Sequence, residues 1–191
     1  EPSSDVALTI TSSDTGEATV TSSLTFTSEN WDTPQNVTVT GVDDDLVDGT
    51  VNSTITIAVD DANSDDDFDA VADQTVTAST TDDDVAGFTV TETEGSTGVT
   101  EAGSTDILNV VLNSQPDSDV VLTISSNDTG ESSVHGSTVS NNTITFTSAN
   151  WDTPQAFTVT GVDDDLVDGT VTSTVTISVV DAVSDDNLDS V

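Results

Sequence analysis

The chain has 191 residues, 37 of them acidic, no lysine, arginine or cysteine and one histidine, so its formal charge at neutral pH is −37. That rules out binding to a nucleic-acid backbone, which needs basic side chains to displace counterions, disfavours docking on an anionic lipid surface, and removes disulfide staples and lysine crosslinks as sources of stability. Self-repulsion on this scale opposes any compact state, so the folded form should depend on salt or on specific cations.

The apolar pattern has a period of two from the start, which marks strands. Val6, Leu8 and Ile10 face one way and Ala7 and Thr9 the other. A turn carrying Asp14 and Glu17 follows, then Phe26 and the motif Asn30-Trp31-Asp32-Thr33-Pro34-Gln35. Val37 and Val39 alternate with Thr38 and Thr40 and lead into Asp43-Asp44-Asp45-Leu46-Val47-Asp48-Gly49, four carboxylates within six residues. Ile55, Ile57 and Val59 form the next strand, followed by Asp65-Asp66-Asp67-Phe68-Asp69 and by Asp82, Asp83 and Asp84. Phe88 and Val90, then residues 107–112, supply two further strands, with Glu101 between them. Nothing shows a sustained helical period, and no apolar run reaches the ~18–20 residues that a membrane helix requires.

From there the chain repeats itself. Asp5-Val6-Ala7-Leu8-Thr9-Ile10 returns as Asp119-Val120-Val121-Leu122-Thr123-Ile124, and Asn30-Trp31-Asp32-Thr33-Pro34-Gln35 as residues 150–155, an offset of 120. The acidic loop returns unchanged as Asp163-Asp164-Asp165-Leu166-Val167-Asp168-Gly169, and Asp14 and Glu17 return as Asp128 and Glu131. A length-variable loop falls around 135–142. A period of about 120 residues is a whole small domain rather than a solenoid coil. The reading is therefore two repeats, 1–84 without its N-terminal strands and 85–191 without its C-terminal strand, in a chain that reads as an excerpt of a longer protein.

Short strands with one apolar face, separated by turns every eight to twelve residues, predict an all-β fold of antiparallel sandwiches. If each strand reverses direction, the loops at 93–104, 126–131 and 163–169 share one end, and Asp82, Asp83 and Asp84 reach that end too. Acidic loops far apart in sequence thus converge. Such clusters offer hard oxygen ligands, which suit Ca²⁺ or Mg²⁺ rather than zinc or copper. The loop is no EF-hand, because its fifth position is Val47 and no glutamate follows the glycine at the required distance. The competing reading is a fully solvated acidic loop in a salt-adapted protein.

The acidic loop after one strand, the second Asp triplet, residues 143–155 (Thr-Ile-Thr-Phe-Thr-Ser-Ala-Asn-Trp-Asp-Thr-Pro-Gln) and residues 184–189 together resemble the Calx-β family. The likeness is to the domains of sodium/calcium exchangers and, more closely, to repeats of large bacterial surface proteins. It implies tandem seven-stranded Ig-like Greek-key β-sandwiches that bind calcium at one end. Carried over, the ligands would be Asp43, Asp44, Asp45 and Asp48, then Asp82, Asp83 and Asp84, then Glu101, and the repeated set Asp163, Asp164, Asp165 and Asp168. The exchanger loop continues acidic where this chain has Gly49, Thr50 and Val51, which implies fewer ions or weaker binding. The family's acid between the third and fourth strands has no clear counterpart here, and Asp14 and Glu17, with Asp128 and Glu131, are the substitutes for it.

Function follows as an expectation: a non-catalytic extender module of a long extracellular, cell-surface adhesin or filament, rigidified by Ca²⁺ at domain ends and junctions. Its partners would be neighbouring identical repeats or other copies in a filament, with no nucleic acid and no membrane insertion. Alternatives are a Ca²⁺-dependent module recognising a glycan or receptor, and a filament subunit assembling by strand exchange. An enzyme is not expected. A two-carboxylate glycosidase needs one acid in an apolar pocket, whereas these lie in polar clusters, and a serine triad would have only His135 as base. Trp31 and Trp151 are read as buried plugs rather than a ligand platform, His135 as a surface loop residue. The acidic segments 65–69 and 185–189 are either solvated or turned toward a neighbouring repeat.

Overall fold

A computed structural model describes residues 1–136 and 142–188. Most of the length-variable segment, and Asp189, lie outside the described residues. The alternating segments form strands as the pattern predicts, and the fold is all-β with antiparallel sheets of sandwich type. No described helix is long and apolar enough to cross a membrane. The chain forms two compact units, Glu1–Asp44 with Asp48–Asp83, and Asp45–Val47 with Asp84–Val191.

The first unit contains β1 (Val6–Ser12), β2 (Ala18–Val20), β3 (Ser23–Phe26), β4 (Val39–Gly41), β5 (Val51–Val59) and β6 (Gln74–Thr80). They form a four-stranded sheet in the order β3-β1-β5-β6 and a two-stranded sheet β2-β4. The second contains β7 (Phe88–Glu92), β8 (Thr105–Leu112), β9 (Val120–Ser126), β10 (Ser132–Gly136), β11 (Thr143–Phe146), β12 (Gln155–Gly161) and β13 (Val175–Val179). Here a four-stranded sheet, β10-β12-β8-β7, faces a three-stranded one, β11-β9-β13.

The facing of those two sheets follows from their shared core. Leu108, Val110 and Leu112 of β8, Val134 of β10 and Phe157 and Val159 of β12 join Val120, Leu122 and Ile124 of β9 and Ile144 and Phe146 of β11 in one buried apolar cluster. Each is at most 5% exposed, so the period-two faces are satisfied from both sides. Removing such surfaces from water is the main term that offsets the chain's self-repulsion.

The first unit uses nearly the same sequence with a thinner core. Val159 is 1% exposed, whereas its counterpart Val39 is 43% exposed. The alternation predicts an inward strand through Val37 and Val39, but β4 begins only at Val39, and Val37 lies outside it. The cause is a missing neighbour: β12 is flanked by β10 and β8, while β4 has β2 alone among the described residues. The tryptophans diverge for the same reason. Trp151 packs against the core, and its carbonyl accepts from the Leu112 N–H at the end of β8 at 3.1 Å. Trp31, 47% exposed, is no buried plug. His135 is also not in a loop; it is an exposed residue of β10, opposite Thr158. β10 and β2 are too short and polar for alternation to reveal.

The acidic segments after β5 and β13 differ from both readings of them, because one carboxylate in each is buried as a structural clip. The Asp65 Oδ2 accepts from the Ser3 N–H at 2.6 Å, the Ser3 hydroxyl at 2.8 Å and the Ser4 N–H at 3.0 Å. Its Oδ1 takes the Asp67 N–H at 3.1 Å. Beside it the Ser64 hydroxyl bridges the N–H and C=O of Ala7. The second unit repeats this: Asp185 accepts from the Ser118 N–H at 2.8 Å and Ser184 bridges Val121. The pair Ser-Asp thus pins the entry of the central strand β1 or β9.

The donors around Asp65, the Ser4 N–H first and then the Ser3 hydroxyl and Asp67 N–H, hold its pKa down at about 2. A folded-state pKa below the unfolded value gives stability that is present above about pH 4 and lost as pH falls toward 2. Asp65→Asn is therefore expected to lower the melting midpoint at pH 7 by roughly 5–10 °C. The gap from the parent chain should close on titration to pH 2, read by Trp31 fluorescence. A gap that stays constant with pH would show that the carboxylate is not the clip.

Candidate metal centres

Strand pairing explains how the acidic groups meet. In the first unit β2 pairs with β4 through Ala18↔Gly41, so Glu17 and Val42 lie just beyond the ladder and the Glu17 carbonyl accepts the Val42 N–H at 2.9 Å. In the second unit Ser132↔Gly161 sets Glu131 beside Val162 in the same way, again at 2.9 Å. The acidic loop begins at the next residue. Its exit is a glycine with positive φ, 77° at Gly49 and 80° at Gly169, a conformation that residues with a Cβ rarely adopt.

This places Glu17, Asp44 and Asp48 together, and separately Glu131, Asp164 and Asp168, with one carboxylate oxygen from each residue of a triad within 4.8 Å of the others. The glutamates are half-buried and carry the strain of the arrangement. Burial first, then the charges of Asp48, Asp44 and Asp14, pushes the Glu17 carboxyl above its usual range. Burial and then Asp168, Asp164, Asp128 and Glu101 do the same to Glu131. No lysine or arginine exists to relieve either site.

The sequence-predicted residues divide accordingly. Asp44, Asp48, Asp164 and Asp168 join the triads, and so do Glu17 and Glu131, ranked behind the Asp loops in the sequence reading. Asp43, Asp45, Asp163 and Asp165 are outside them, as are Asp83 and Asp84. Asp45 belongs to the second compact unit. Asp82 reaches the first loop, where its Oδ2 accepts the Gly49 N–H at 2.8 Å. Asp14 and Asp128 shape the turns ahead of the glutamates, each accepting an N–H two residues on, from Gly16 at 3.0 Å and Gly130 at 3.1 Å.

Glu101 sits near Glu131 because its loop lies over the end of β12. The Gly161 N–H donates to the Ser104 carbonyl at 3.0 Å, and a Cβ on Gly161 would meet the Thr100 carbonyl oxygen at 2.1 Å. Only glycine allows that approach. At the corresponding Gly41 the nearest atom would be the Thr80 Cγ2 at 3.7 Å, an ordinary contact. A depression of about 410 Å³ lies between this loop and the triad, lined by Val99, Thr100, Glu101, Glu131 and Gly169 among others. Asp106, not singled out from sequence, ties the first part of the loop through the Thr93 hydroxyl and the N–H groups of Ile107 and Gly98.

Chemically, either triad could hold a metal ion. All donors are hard carboxylate oxygens, and a spread of 4.8 Å fits a single coordination shell with metal–oxygen bonds of about 2.3–2.6 Å. No family model matches this chain, and no curated protein is significantly similar to it in sequence.

Proposed function

We propose that this chain is a non-catalytic structural module whose acidic loops bind Ca²⁺, serving as an extender in a long extracellular adhesin or filament of the Calx-β type. One observation carries the reading: the same Glu-Asp-Asp triad is assembled twice, from the same two loops of each repeat, by the same strand register. A solvated acidic surface gives no reason for a glutamate to be half-buried against two aspartates, whereas a cation removes the penalty in one step. The 120-residue sequence repeat and the two-sheet second unit favour tandem Greek-key sandwiches as the scaffold. Repetition also favours a spacer over a glycan- or receptor-recognition domain, which usually occurs singly.

Calcium's tolerance of irregular oxygen cages makes it a better occupant than magnesium, which demands a near-ideal octahedron. Isothermal titration of chelator-treated protein with CaCl₂ is expected to reveal two sites per chain with Kd of about 10⁻⁴–10⁻³ M, the range of extracellular calcium modules. Heat no different from a magnesium or sodium titration at equal ionic strength would reject the calcium reading.

A further inference from the structure

The sequence holds only two Asp-Gly bonds, Asp48-Gly49 and Asp168-Gly169, each in the context Leu-Val-Asp-Gly-Thr. Asp-Gly is the junction at which a peptide chain most readily rearranges, because no side chain shields the glycine nitrogen. That nitrogen attacks the Cγ of the preceding aspartate. A C–N bond forms, the nitrogen gives up its proton, and one carboxyl oxygen leaves as water, closing a five-membered succinimide. Water then opens the ring. Attack at Cγ returns aspartate, whereas attack at the main-chain carbonyl gives isoaspartate, in which the main chain runs through Cγ. One water is released and one taken up, so no other reactant is needed.

The first of these bonds is open to the reaction. Asp48 and Gly49 are both exposed. A Cβ built on Gly49 would meet nothing within 4 Å, so neither the leaving nor the incoming water is obstructed. The glycine has φ 77°, in a region where its backbone moves freely and other residues do not.

One contact opposes it. The Gly49 N–H donates at 2.8 Å to the Oδ2 of Asp82, a half-buried residue of the segment after β6 and 33 positions along the chain. To attack, the nitrogen must turn a face of its peptide plane toward the Asp48 Cγ, which breaks that hydrogen bond. It must also shed its proton, and the negative nitrogen would then stand against the Asp82 carboxylate. Both steps are harder with Asp82 in place.

We infer that Asp48 is a site of spontaneous isomerisation to isoaspartate, and that the hydrogen bond from Gly49 to Asp82 is the brake that sets its rate in the folded first unit. The product matters to the triad. Isoaspartate lengthens the main chain by one carbon and shortens the arm of the carboxylate, so the oxygen that now lies within 4.8 Å of those of Glu17 and Asp44 is displaced. The first triad therefore has a covalent lifetime, governed by a residue outside it.

The test holds the whole chain for weeks at neutral pH and physiological temperature in heavy-oxygen water. Chelator is present, so the outcome is independent of the calcium reading. Each closing and reopening of the ring places a solvent oxygen on the residue, whichever way the ring opens. Electron-transfer fragmentation of peptic peptides locates the label and separates isoaspartate from aspartate. Asp82→Ala is expected to speed labelling at residue 48 about tenfold, the rate equivalent of one charge-assisted hydrogen bond. Labelling at residue 168 of the same molecules should not change. Asp82→Asn keeps an acceptor oxygen without the charge and should fall between the parent and Asp82→Ala. Equal rates at residue 48 in the parent and Asp82→Ala, or no labelling there in either, would overturn the inference. So would an acceleration shared by residues 48 and 168, which would reflect general loosening. Asp82→Asn as fast as Asp82→Ala would show that the hydrogen bond is not the brake.

Discussion

Phe146→Ala is expected to destabilise the second unit by about 3–5 kcal/mol, the usual cost of removing a fully buried phenylalanine, whereas Phe26→Ala should cost the first unit about 1–2 kcal/mol. The two phenylalanines occupy the same place in the repeat, in the same Thr-Phe-Thr-Ser context ahead of the tryptophan motif. Phe146 is 0% exposed, paired with Val120 in the β9–β11 register and enclosed by the core from the opposite sheet. Phe26 pairs with Val6 in the matching register but is only half-buried, because the first unit's second sheet has just β2 and β4. Each unit carries one tryptophan, so urea titrations of Trp31→Phe and Trp151→Phe backgrounds would report the units separately. A loss of 3–5 kcal/mol against a total of about 5–15 kcal/mol would lower the second unit's urea midpoint by roughly a fifth or more. Equal losses at both positions would mean that burial in the two units is the same in solution.

That contrast shows what was legible in the sequence. The strands with a clear apolar alternation were, because period two depends only on neighbours along the chain: Val6 and Ile10, or Leu108, Val110 and Leu112, face inward as the alternation requires. Degree of burial was not, since it depends on which strand covers a face, and Val39 and Val159 share a sequence context with different cover. For the site, alternation of loop ends brought the acidic loops together in principle, but the choice of Glu17 and Glu131 over Asp43 or Asp163 rests on register. The ladder ends at Ala18↔Gly41 and Ser132↔Gly161, and only then is the glutamate opposite the loop. Composition misled for Asp65 and Asp185. In a chain this acidic, a buried carboxylate that clips a strand looks like any other aspartate until its N–H donors are seen.

Calcium is expected to raise the melting midpoint of both units, and the triad variants distinguish a bound ion from general screening. With sites of about 10⁻⁴–10⁻³ M, 10 mM Ca²⁺ adds about 1.4–2.7 kcal/mol per occupied site, or roughly 5–20 °C for units of this size. Asp168→Asn should erase the increment in the second unit and Asp48→Asn that in the first, each read through the tryptophan of its own unit. The sign in chelator separates the mechanisms. Within a triad the three carboxylates repel, and the pKa of Glu131 is raised by burial and by Asp168 among its neighbours. Removing the Asp168 charge therefore relieves the calcium-free state, and the variant should melt at or above the parent temperature there. With calcium the order reverses, because the variant lacks a ligand the ion requires. A merely solvated loop predicts no such crossing: sodium chloride at matched ionic strength would then stabilise parent and variant as well as calcium does. Crossing curves identify coordination, and parallel ones would reduce both triads to ordinary acidic surface.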